Sequence, residues 1–457
     1  MKNKNPLGYE PVFNLIIKYS IPSIISMLVM TLYNIVDQIF IGHLIGIMGN
    51  AATNIAFPII TLTAAFSQMI GMGTAANFNI NIGANKEEEA KQIVGAGILL
   101  MGILGIFIMS SVLIFKDDIL ILCGVTDTIL PYAQLYLDIT VLGLPFLLFT
   151  NSLSTLIRAD GSPKYSMFCT IIGAILNIFL DWIFMVKFRL GIQGAAFATI
   201  ICQFISFIIC IAYLPKFKTF SINFNIFNLK LKYIIKIIKL GTSNFINQII
   251  MMLVNILLNN MLKKYGAISI YGSEIPLAVS GIAAKLNSIL TAFSVGIAQG
   301  CQPILGFNMG AKNYNRVKEI YKKSLYLSLI IGIIIFTIFQ LFPVPLISIF
   351  GSGEALYFDF AKKYIRIYMM MVCIFSIQPI TVNYFTGIGN TKQGIILSLS
   401  RQGFFLIPLL LTLPTIFGIN GILFAGPVSD TMACILALSM VIYNFKEIDK
   451  ANILNNK

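Results

Sequence analysis

AAFSQMIGMGTAANFNINIGANKEEEAKQI (64–93) is met again 227 residues later, as TAFSVGIAQG (291–300) and NMGAKNYNRVKEI (308–320). Comparing 54–93 with 281–320 gives twelve identities in 40 positions. Chance pairs two Ile/Leu-rich helices easily. It does not pair Gly, Asn, Ser and Lys at one spacing in several places. RADGSPK (158–164) meets TGIGNTK (386–392), LGIQGAAFA (190–198) meets FGINGILFA (417–425), and LYNIVD (32–37) resembles LVNILL (253–258). The chain is therefore one unit written twice.

The composition says where that unit sits. Of 457 residues, 57% are apolar and 11% charged, and mean hydropathy is +0.87. Soluble domains carry roughly 25% charged residues, so an ordinary soluble enzyme and a disordered chain are both excluded. Apolar stretches long enough to cross a bilayer fall at 13–43, 52–82, 92–115, 128–156, 165–187 and 194–214. They resume at 233–261, 276–309, 323–350, 361–385, 393–416 and 421–444. The first run follows Met1–Tyr9 and continues far beyond a signal-peptide core, so it reads as a membrane helix. The expected fold is an all-α integral membrane protein of twelve transmembrane helices in two pseudo-symmetric six-helix lobes. The N-lobe is 1–214, a basic cytoplasmic linker lying along the membrane surface is 215–232, and the C-lobe with a short tail is 233–457. Six helices per copy is an even number, so both copies insert in the same orientation and the repeat axis follows the membrane normal.

Net charge is +14. In a bilayer protein this reads as basic cytoplasmic loops rather than a nucleic-acid surface. With the N-terminus inside, inner segments hold twenty Lys/Arg, including Lys86, Lys164, Lys218, Lys312, Arg316 and Lys392. Outer segments hold eight: Lys116, Lys187, Arg189, Lys263, Lys264, Lys362, Lys363 and Arg366. Both termini are expected in the cytoplasm. The seven Cys are scattered and His43 is the single histidine, so no zinc cluster is expected.

Polar residues inside the spans carry the functional information, because a charge at a helix centre costs about 2.5–3.5 kcal/mol on insertion scales. Four stand out in the N-lobe: Asp37 on helix 1, Asn177 and Asp181 on helix 5, and Thr199 on helix 6. Asn177 and Asp181 are i,i+4 and share a face. At about 1.5 Å per residue all four fall in the outer half of the bilayer. Two carboxylates, an amide and a hydroxyl suit a Na+ ion and suit a proton equally. In the C-lobe, Arg401 and Asp430 approach the midplane from opposite sides, an expected buried ion pair whose plain role is to hold two helices together. The 19 Met and 36 Phe suit an adaptable chamber for flat aromatic cations. Met27, Met30, Met251, Met252, Gln248 and Gln378 are its wall candidates.

The whole chain resembles the multidrug and toxic compound extrusion (MATE) transporters, nearest to their DinF-like and MepA-like bacterial branch. The resemblance rests on the repeat and on LYNIVDQIFIGHL (32–44), IGANKEEEAKQ (82–92), RADGSPKYSM (158–167) and NIFLDWIF (177–184). It rests also on GFNMGAKNYNRV (306–317) and SRQGFFLIPLLLTLP (400–414). It implies efflux of cationic, aromatic drugs from a bacterial cytoplasmic membrane by alternating access, driven by inward Na+ or H+. It implies a cation site at Asp37, Asn177, Asp181 and Thr199, and a bend in helix 1 at Pro22. Acidic cation ligands that some members carry on helices 7 and 10 have no counterpart here. The expected protein is a monomer with no cofactor beyond its coupling ion, and not an enzyme. Without a Walker motif, ATP drive within the chain is not expected. The alternative is a lipid-linked precursor flippase of the same superfamily.

Overall fold

The computed structural model describes residues 5–223, 226–348 and 355–455, and no strand occurs among them. Eleven helices are long and apolar enough to cross a membrane. They are α1 (Val12–Leu44), α2 (Met48–Gly83), α3 (Glu87–Ile114), α4 (Leu130–Ala159), α5 (Pro163–Lys187), α6 (Gly191–Lys216), α7 (Leu231–Ala267), α8 (Glu274–Gly310), α9 (Tyr314–Leu341), α11 (Thr391–Phe417) and α12 (Ile419–Lys450). The span between α9 and α11 is broken: α10a (Ala355–Tyr368) and α10b (Val372–Gly387) meet at 47°. Counted as one, it completes the twelve.

Compactness divides the chain at points the repeat does not mark. One unit is Ile21–Gln248, and the other joins Met1–Ser20 to Ile249–Lys457. Helices α1 and α7, the first of each repeat, are thus each shared between units.

Glycines explain how each unit accepts that extra end. In the first unit, a Cβ on Gly73 of α2 would stand 2.1 Å from the carbonyl oxygen of Ile237, and one on Gly241 would stand 1.8 Å from that of Met69. Only hydrogen fits, so the backbones of α2 and α7 touch, as small residues permit in membranes. Asn77 Nδ2 donates to the Lys236 carbonyl at 3.0 Å, and Lys236 pairs with Glu89. In the second unit, Gly300 of α8, which aligns with Gly73 at the 227 shift, would put a Cβ 2.7 Å from Ser20 Cα. Asn308 Nδ2 donates to the Leu7 carbonyl at 2.9 Å, and Arg316 Nη2 to the Glu10 carbonyl at 2.7 Å.

The linker is tied to the turn between α4 and α5. Asp160, in the α4–α5 turn, accepts from the backbone N–H groups of Lys218 (2.7 Å) and Thr219 (3.0 Å). It also accepts from Thr219 Oγ1 (2.6 Å) and Tyr213 Oη (2.7 Å). Phe217 and Phe220 pack edge-on against Phe78. Aromatic burial and a fully used carboxylate hold this segment against the protein.

Candidate functional site

Helix α5 is regular from Pro163 to Asp181 and then widens into a π-helical stretch, Trp182–Lys187. The change of pitch begins at the residue after Asp181; such stretches recur at functional sites. Arg189 and Gly191 both adopt positive φ and turn the chain back into α6. Gly194 seats against Phe184 and Met185, with 3.1 Å between its would-be Cβ and the Phe184 carbonyl carbon. The tight return sets Thr199 beside the end of α5.

Asp181 is fully buried, Asn177 is 3% exposed, and Asp37 and Thr199 are half-buried. The Asp37 and Asp181 carboxyl groups lie within hydrogen-bonding reach of each other. Ionised carboxylates only accept, so that contact needs a proton or another cation between them. Asp37 Oδ1, both Asp181 carboxyl oxygens and Asn177 Oδ1 are buried without any donor. Tyr33 and Tyr136 lie within electrostatic range of both acids.

Asn177 and Thr199 also belong to the wall of a cavity inside the Ile21–Gln248 unit. It encloses about 540 Å³, part of it open to solvent. Its other walls are Met30, Tyr33, Leu147, Thr150, Asn151, Thr170, Gly173, Ala174, Cys202, Gln203 and Ser206. Thr150 Oγ1 and Gln203 Oε1 are buried there without partners, like Asn177 Oδ1. Tyr33, Thr150, Asn151 and Gln203 were not singled out from sequence. Spacing could have found them: Met30, Tyr33 and Asp37, or Thr199, Gln203 and Ser206, follow one helical face. Of the chamber candidates, Met30 lines this cavity. Met27, Gln248, Met251, Met252 and Gln378 do not. Gln378 Nε2 instead donates to the Leu397 carbonyl at 2.9 Å.

Pro22 lies inside α1, just past the Ser20/Ile21 division between units. It lacks the N–H that would bond one turn back, so the helix is weakest there. Its carbonyl accepts from Ser26 Oγ at 2.9 Å.

In the other unit, Arg401 Nε reaches Asp430 Oδ1 at 2.6 Å, so the expected ion pair forms. The guanidinium carbon stands 4.4 Å from the Phe375 ring centroid, and Ser429 Oγ donates to the Arg401 carbonyl at 2.7 Å. Arg401 sits in a second π-helical stretch, Ser400–Leu406.

These features define a multi-pass membrane protein with a polar site and a cavity at bilayer depth. The MatE family pattern matches residues 22–183 and again 243–412, once in each repeat. The chain belongs to the MatE family. The multidrug export protein MepA of Staphylococcus saprophyticus is 25% identical to it, over 99% of this chain and all of its own length. MepA of Staphylococcus aureus is 24% identical, over 98% of this chain and 97% of its own. A solved structure described as the outward-facing conformation of a multidrug resistance MATE family transporter of the MOP superfamily superposes with a TM-score of 0.91. It is 22% identical and covers 98% of this chain and 99% of that one.

Proposed function

We propose that this chain is a cation-coupled multidrug exporter, an antiporter that trades Na+ or H+ against cationic, aromatic drugs. The observation that carries this reading is the Asp37–Asp181 pair, with carboxylate oxygens that no protein donor satisfies. Two ionised carboxylates so close repel each other, and in a poorly solvated site that repulsion is large. The unloaded site therefore attracts any cation that can enter. Asn177 and Thr199 line the cavity, and Asn177 stands one helical turn from Asp181, so in this reading coupling ion and drug cation compete for one negative region. Loading the acids from outside removes the attraction for the drug. Unloading them inside restores it. Competition of this kind suffices for exchange, because each ligand lowers the affinity for the other. Pro22 is the proposed hinge of α1 between the two states. The excess of basic residues on inner segments supports a bacterial cytoplasmic membrane with both termini inside.

The test is ethidium efflux from vesicles with a Na+ gradient and a pH gradient imposed separately, wild type beside Asp37→Asn. One gradient should drive wild-type efflux, and the variant should fall to the vesicle background. Full efflux by well-inserted Asp37→Asn would remove these acids from the mechanism.

A further inference from the structure

The Arg401–Asp430 pair uses little of what an arginine offers. A guanidinium carries five N–H donors in a planar fork. Nε meets Asp430 Oδ1, the only hydrogen-bond partner of the side chain among the described residues, and Phe375 covers one face. Both Nη groups keep their donors unengaged, and 16% of the side chain is accessible against 8% for Asp430. A pair that served only to hold helices would gain most from the bidentate arrangement, with the carboxylate bridging two nitrogens. Here Asp430 holds the guanidinium by one edge and leaves its other nitrogens unused.

The surrounding backbone is irregular in two places. Arg401 lies in the π-helical stretch of α11, Tyr368 ends α10a at the break in α10, and Phe375 lies about one turn beyond that break. Tyr368 is within electrostatic range of both charged groups. Membrane transporters place substrate sites near the midplane where helices are discontinuous. Counted along their helices, Arg401 lies about 12 Å from one face and Asp430 about 14 Å from the other, which is midplane depth.

We infer that Arg401, oriented by Asp430 and Phe375, is a recognition site for the carboxylate of an amphipathic aromatic zwitterion. Charge selects that class. The pair is neutral, so a simple anion would leave a net negative charge at bilayer depth. A zwitterion brings its own cation and leaves the sum at zero. The free Nη edge matches a carboxylate in shape, and an ammonium could not reproduce it. This inference rests on the drug-export reading above and adds a ligand class and a residue to it.

The test uses two dyes that differ in one group: rhodamine 110, a zwitterion with a free carboxylate, and rhodamine 123, its methyl ester. Binding to the full chain in nanodiscs is read by fluorescence anisotropy. Wild type should bind both. Arg401→Gln should weaken rhodamine 110 by about tenfold, the scale of one charge-assisted contact, while leaving the ester within about twofold. Arg401→Lys should fall between. Removing Arg401 alone strands a buried carboxylate and can prevent folding, so Arg401→Gln with Asp430→Asn is measured beside it and should show the same selectivity. Equal losses for the two dyes, or no loss for either, would overturn the inference. Wild type that binds neither dye would instead bring down the drug-export reading, and this inference with it.

Discussion

At the scale of single residues, charge made the candidate site legible. Asp37, Asn177, Asp181 and Thr199 stand out because a bilayer tolerates few such groups. Asp37 and Asp181 do meet, and Asn177 and Thr199 share a cavity wall. Tyr33, Thr150 and Gln203 stayed hidden because neutral polar side chains in a membrane helix usually bond their own backbone one turn back. Only the fold shows that Thr150 Oγ1 and Gln203 Oε1 do not. Function and stability pull in opposite directions at such a site. Asp181 is fully buried, its oxygens lack donors, and it faces a second acid. Asp181→Asn removes the repulsion and keeps the size. The variant should therefore melt at a higher temperature than wild type in cation-poor buffer at neutral pH, while gradient-driven efflux falls to background. A melting temperature several degrees lower would show that Asp181 holds the fold rather than the coupling ion.

At the scale of elements, helix number and order were readable because each span must be about twenty apolar residues long. Local pitch was not. The span expected at 361–385 breaks at Met369–Met371, three residues with no turn signal of their own, and the π-helical stretches in α5 and α11 were not foreseen. Pro379 and Pro408 are the faint clues, since each withholds a backbone donor near an irregular stretch. Glycine pairing was clearer in kind than in purpose. The alignment put Gly73 opposite Gly300, and the structure shows both receiving another helix at backbone distance. Gly73→Ala and Gly300→Ala should each destabilise the purified protein by about 1–3 kcal/mol, the usual cost of overpacking. Gly73 should be worse, because its new methyl meets a fixed carbonyl oxygen at 2.1 Å. Thermal unfolding in one detergent compares them, and unchanged curves would mean the helices can separate there at no cost.

At the scale of the whole molecule, the repeat was written in the sequence, but the division into packing units was not. Periodicity tells which face of a helix is buried and is silent on what buries it, so nothing in 5–20 or 231–248 announced that each is grouped with the other repeat. What the linker between repeats is tied to was hidden for a similar reason. Its basic, amphipathic pattern fits lipid headgroups as well as protein, and the decisive partner, Asp160, lies some 60 residues away in sequence, a separation no local pattern reports. Four donors converge on that carboxylate, so Asp160→Ala takes away the partner of the Lys218 and Thr219 backbone N–H groups and should free the segment. Lys216 and Lys218 would then become trypsin sites. In wild type, Lys218 is tied down through its backbone N–H to Asp160 and its Nζ to the Gly161 carbonyl. The expected result is rapid cleavage between the repeats in Asp160→Ala and slow cleavage in wild type. With the linker cytoplasmic, only inside-out vesicles should be cut. Cleavage confined to right-side-out vesicles would invert the proposed orientation, and equal cleavage of both proteins would show that Asp160 does not hold the linker.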